Sequence, residues 1–109
     1  MSFNYTHIAN LLEQIKDIPP DSIISRTFYS DEGMKAILFG FAAGQELSEH
    51  TSAQTAIIHI IQGEADLTLG DDSMPAQAGT WVHLPPRLSH SIVAKTSVLM
   101  VLLMLKTAD

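Results

Sequence analysis

Five histidines, His7, His50, His59, His83 and His90, are the residues of this chain best suited to chemistry. Imidazole is the commonest protein metal ligand and the side chain that changes charge nearest neutral pH. His50 follows the glycine-bearing turn Gly44-Gln45-Glu46-Leu47-Ser48-Glu49, and His90 follows a run from Gly79 to Ser89 that contains Pro85-Pro86. Each is expected to open a strand after a turn. In a small antiparallel barrel, such positions converge on the interior from different strands. The two imidazoles are therefore read as sharing either one metal ion or one small ligand that they orient by hydrogen bonds. Other chemistries lack their parts: the sequence has no Gly-x-Ser-x-Gly elbow, no glycine-rich phosphate loop and no dinucleotide fingerprint. Asp71-Asp72 reads as turn chemistry after Gly70.

The remaining candidates are weighed against blander roles. Strand alternation puts His59 on the face opposite Ala56, Ile58 and Ile60, where it would meet a partner and not a ligand. The orientation of His83 is left open, and His7 reads as a solvated surface group. Arg87 would either clamp an anion through its guanidinium fork or pair with a surface carboxylate, and the second reading is preferred. With Ala56 and Ile58 inward, the pocket wall is aliphatic, and Phe39, Phe41, Trp81 and Met100 are placed to line or floor it. Met34, Met74, Met100 and Met104 read as adaptable core fillers with no redox role.

These side chains need elements to hold them. Ile8, Leu11, Leu12 and Ile15 fall on one helical face, which predicts a short N-terminal helix capped by Thr6 and stopped by Pro19-Pro20. From Ser22 the pattern changes to strands: Ser22–Ser30, Met34–Ala42, Thr55–Ile61, Ala65–Leu69, Thr80–Leu84, Ser91–Ala94 and Val98–Leu105, separated by Gly, Asp and Pro turns. The connections are too short for crossover helices, so the fold class is all-β, a sandwich or small barrel, and not a parallel α/β sheet. Residues 1–20 form the helix and linker, and 21–109 the barrel. Ala56–Ile61 and Val98–Leu105 are apolar on both faces, unlike a half-exposed antiparallel strand. The N-terminal helix would cover one patch, and a second copy of the chain is the expected cover for the rest, making a homodimer.

At this level the sequence resembles a small single-domain cupin of the RmlC-like double-stranded β-helix type. The family's first motif, G-x5-H-x-H-x3–4-E-x6-G, is matched by Gly44, His50 and Gly63, with Ser52 for the second histidine and Ala56 or Ile57 for the glutamate. Its second motif, G-x5-P-x-G-x2-H-x3-N, is matched by Gly79, Pro85 and His90, with Arg87 for the glycine and Ala94 for the asparagine. The resemblance spans about 22–105 and implies an antiparallel jelly-roll barrel. It also implies a divalent transition-metal site of three imidazoles and one carboxylate, of which this sequence keeps two positions, His50 and His90. Gln54 is the best local substitute ligand, and Ser52, Ala56, Ile58, Trp81, Arg87 and Met100 are the candidate pocket. No other cofactor is expected. Two functions follow from the resemblance: a small-molecule-binding cupin with a reduced two-histidine site, or a metal-dependent enzyme of dioxygenase, isomerase or decarboxylase type acting on a small oxygenated substrate.

Composition sets outer bounds. A chain of 109 residues has enough polypeptide for one core. Its formal net charge of −6 disfavours nucleic acid and anionic lipid as partners. No apolar run reaches the roughly 18 to 20 residues of a membrane span, and the first residues show no secretory signal. With no cysteine for disulfides or thiolate ligands, the cytoplasm is the default compartment.

Overall fold

Among the described residues, short apolar runs broken by glycine, aspartate and proline turns fold into nine strands: β1 (Ile23–Ser30), β2 (Met34–Phe41), β3 (Glu46–His50), β4 (Thr55–Gln62), β5 (Glu64–Leu69), β6 (Asp72–Gln77), β7 (Trp81–Leu84), β8 (His90–Ala94) and β9 (Val98–Leu105). The computed structural model describes residues 3–106, so the outermost residues of the two expected segments, 1–2 and 107–109, lie outside the described residues. The strands pair into two antiparallel sheets, one ordered β1-β2-β9-β4-β7 and the other β3-β8-β5-β6. The class is all-β with antiparallel sheets, as expected. Among the described residues it is an open two-sheet jelly roll and not a closed barrel.

Strand parity builds the core between the sheets. Phe41, Ala56, Ile58, Ile60 and Met100 project from the five-stranded sheet, and Ala65, Leu67, Ile92 and Ala94 meet them from the other. Burying one such aliphatic or aromatic side chain is worth roughly 1.5–3 kcal/mol. The β1–β2 turn is tied by Asp31, whose carboxylate accepts from the amides of Gly33 and Met34 at 2.7 and 2.9 Å and from the Tyr29 hydroxyl. Those bonds, the Tyr29 one foremost, hold the Asp31 carboxyl below the usual carboxylate range.

Two strands escape the sequence pattern. β3 (Glu46–His50) is charged and irregular, and β6 (Asp72–Gln77) carries Pro75. β6 is an edge strand, the place where a proline without an amide proton is tolerated.

The N-terminal expectation is corrected. Among the described residues of this segment only Leu11–Gln14 coils, as one 3-10 turn, and its cap is Asn10, whose side chain accepts from the Leu12 amide; Thr6 does not cap it. Isolated three-turn helices are marginal in water, and here tertiary packing decides. Leu11, Ile15 and Ile18 are laid over the outer face of the five-stranded sheet against Leu38, Leu99 and Val101. Leu12, expected on the buried face, is 41% exposed. Gly40 permits the close approach, because a Cβ there would sit 3.0–3.3 Å from Ile15 and Ile18.

Candidate functional site

His50 and His90 are 40 residues apart in sequence and directly opposite in the β3–β8 ladder. His90 opens β8, as expected, whereas His50 closes β3 and does not open a strand. Leu47 pairs with Ile92 and His50 with His90, so β3 advances three residues while β8 advances two. The extra residue is a β-bulge, a device that re-aims a side chain. Without it, Leu47 and His50, at odd spacing, would point to opposite faces. With it, both border the same cavity. The Ser89 hydroxyl donates to the Glu49 carboxylate and ties the two strands beside the pair.

The imidazole rings stand 4.1 Å apart between centroids and are tilted by 60°. Each is anchored in the same manner: His50 Nδ1 lies 2.9 Å from the Ser48 carbonyl, and His90 Nδ1 lies 3.0 Å from that of Leu88. A carbonyl oxygen only accepts, so each Nδ1 is the protonated nitrogen and donates. With Nδ1 so engaged, Nε2 is the nitrogen of each ring left to meet a ligand. Orientation of a histidine ligand by a backbone carbonyl on its other nitrogen is a recurrent arrangement around protein-bound metals. His90 is 8% exposed and His50 is open to solvent, so the pair runs from the surface inward.

Both border a cavity of about 20 Å³, walled by Leu47, Ile58, Ile92 and Leu102 and bordered also by Ser91 and Met100. That volume holds a single water or ion, since one water needs roughly 10–15 Å³ on this measure. Larger depressions exist, of about 340 Å³ beside Glu64, Pro75 and Lys95 and about 510 Å³ over Phe28, Met34 and Leu103, but no histidine lines either.

Of the sequence candidates, His50, His90, Ile58 and Met100 border this cavity; Gln54, Ser52, Ala56, Trp81 and Arg87 do not. The Ser52 hydroxyl accepts from the Gln54 amide at 3.1 Å, and the Ser52 carbonyl accepts from the Arg87 amide at 2.7 Å. Both residues are thereby part of a turn-to-turn clasp. Ala56 is core, opposite Leu84. Trp81 is corrected to the outer face: it pairs with His59 and is 58% exposed. The same register puts His83 opposite Ile57 on that outer face, which resolves its orientation, and His59 is exposed there as parity predicts. Arg87 is exposed with φ 69°, and the one salt bridge among the described residues joins Lys95 to Asp66, so the carboxylate partner expected for Arg87 is not seen. Phe41 is fully buried and stacks on Phe39 at 6.1 Å, both as core. His7 is exposed in the N-terminal segment. Sequence reasoning missed Leu47, Ile92, Leu102 and Ser91. The odd Leu47–His50 spacing in a strand-like segment was the available signal for the bulge that brings in the first of these.

The Cupin domain family matches residues 37–106. The chain belongs to the cupin family. Among solved structures, this cupin is similar to a cupin superfamily protein of Desulfitobacterium hafniense, at 22% identity over 95% of this chain and 94% of that one, TM-score 0.85. It is similar to an RmlC-like cupin of Desulfovibrio desulfuricans, at 25% identity over 93% and 97%, TM-score 0.79. KdgF of a Halomonas species is a third, at 19% identity over 80% and 82%, TM-score 0.70. No curated protein matches the sequence. The four-ligand divalent site that the family implies does not fit this cupin. Ala56 offers no donor, the Ser52 hydroxyl is engaged, and among the described residues no three His, Cys, Asp or Glu side chains gather to hold a metal. Among the described residues, no helix is long and apolar enough to cross a membrane.

Proposed function

We propose that this cupin is a binding protein whose ligand is taken by the two Nε2 atoms of His50 and His90. The observation that carries this reading is the paired anchoring of both Nδ1 atoms to carbonyls beside a water-sized void. Two imidazoles with ring centroids 4.1 Å apart take an electron-pair acceptor: a metal ion, or the hydroxyl or ammonium group of a small molecule reaching in past exposed His50. The bulk of an organic ligand would stay outside a 20 Å³ void. The enzyme alternative is the weaker one, because among the described residues no carboxylate borders the cavity to supply a charged ligand or an acid–base partner. The test is nitrogen-detected NMR of the imidazoles. Both rings are expected in the Nε2-unprotonated form, with both Nε2 signals moving on addition of zinc ion. Nε2-protonated rings, or signals that ignore both zinc ion and methylammonium, would remove the reading. The cytoplasm is the compartment that goes with it, on the cysteine-free composition.

We further propose a homodimer through the outer face of the five-stranded sheet. There β4, β7 and β9 present Ile57, His59, Trp81, His83 and Leu103, with no carboxylate among them, on a chain of formal charge −6. Without an acidic side chain among these five, this part of the face lets two copies of an acidic chain approach with little repulsion.

A further inference from the structure

The cavity bordered by the histidines has a third wall that the proposed function leaves unused. Met100 is 1% exposed and borders the same void as both rings. Its thioether is a soft neutral donor, and thioethers favour Cu(I) over the hard divalent ions. We propose that His50, His90 and Met100 form a site for monovalent copper, an inference that rests on the two-imidazole reading above.

Three physical arguments meet here. The first is charge. The wall is otherwise Leu47, Ile58, Ser91, Ile92 and Leu102, with no anionic group bordering the void among the described residues. Ion desolvation scales with the square of the charge, so a monovalent ion incurs about a quarter of the divalent penalty in such surroundings. The second is ligand number. Structural zinc takes about four ligands and harder ions about six, whereas soft Cu(I) is satisfied by roughly two or three. Two imidazoles and one thioether match that requirement and fall short of the others. The third is access. His50 lies at the solvent side, His90 is 8% exposed, and Met100 is nearly sealed, so donors run from mouth to interior. The alternative role of Met100 is a core filler among the aliphatic residues of β9, and the test separates the two.

Apoprotein of the full chain is titrated anaerobically with Cu(I) in competition with bicinchoninate, and separately with zinc ion. Wild type, Met100→Leu and His50→Ala are compared, with circular dichroism as a check on folding. Leu conserves the volume of Met, so the fold is expected to hold. One Cu(I) per chain is expected. Met100→Leu should weaken Cu(I) at least tenfold and leave zinc unchanged, and His50→Ala should weaken both. Cu(I) affinity that ignores Met100→Leu would overturn the copper site while leaving the two-imidazole reading standing. Failure to bind either ion, with unmoved imidazole signals, would remove both. X-ray absorption of the copper-loaded wild type is the independent readout should Met100→Leu not fold. The chain has no cysteine, so a protein sulfur bonded to copper must be methionine. A spectrum without bonded sulfur would overturn the proposal.

Discussion

Arg87 occupies the second-motif position at which the cupin pattern has glycine, and it keeps the glycine conformation. Its φ of 69° lies in the left-handed region, where a side chain costs roughly 1–2 kcal/mol. The turn tolerates this because the Arg87 amide is bonded to Ser52 and the surrounding loop is fixed. Arg87→Gly is therefore expected to raise stability by about 0.5 kcal/mol, most of the relief being offset by the greater freedom of glycine in the unfolded chain. Arg87→Ala should leave stability near the wild-type value, because alanine meets the same backbone penalty. Urea unfolding midpoints of the two variants decide the matter. An equal gain from both would place the strain in the guanidinium and not in the backbone.

At the scale of elements, the site depends on how β3 meets β8 and on how the sheets are joined. The β3 bulge brings His50 and Leu47 to one cavity, and the Ser89–Glu49 bond ties the strands beside it. Gly63 sits between β4 and β5, where the chain crosses from one sheet to the other. Its φ is +93°, and a Cβ there would lie 2.0 Å from the Ser97 carbonyl oxygen. The obstruction is backbone and cannot rotate away. Gly63→Ala is expected to cost about 3 kcal/mol or more, and to abolish accumulation of folded protein if the wild type is marginal. Thermal unfolding followed by circular dichroism measures it. A loss below about 1 kcal/mol, the low end of the cost of such backbone strain, would mean that the crossing can open.

For the whole molecule, the N-terminal segment covers part of the outer face of the five-stranded sheet, and the proposed partner copy would cover the rest. The N-terminal segment takes the region of Leu38, Leu99 and Val101, and Gly40 lets it lie close. Toward β7 the face carries Trp81, 58% exposed. A stable dimer buries roughly 800 Å² on each copy. Sedimentation equilibrium at micromolar concentration is expected to give twice the 11.9 kDa chain mass. Trp81→Asp should shift the equilibrium to monomer by placing like charges opposite each other across a two-fold axis. A monomeric wild type would mean that the N-terminal segment and solvent are sufficient cover.

The primary structure was enough to settle the all-β class, the cupin motifs and the outward parity of His59. Those rest on period, turn residues and spacing, which are local properties. It was not enough for β3, whose bulge breaks the period, or for β6, whose Pro75 is acceptable only at an edge that pairing defines. It also misjudged residues 8–15: spacing favoured a helix, but the buried partners Leu38, Leu99 and Val101 lie far along the chain and select a flatter path. The candidate site divides in the same manner. That His50 and His90 come together was readable from two motifs. That Ile58 and Met100 border them while Gln54 and Trp81 do not was decided by register, because in a sheet one residue of slip reverses every face.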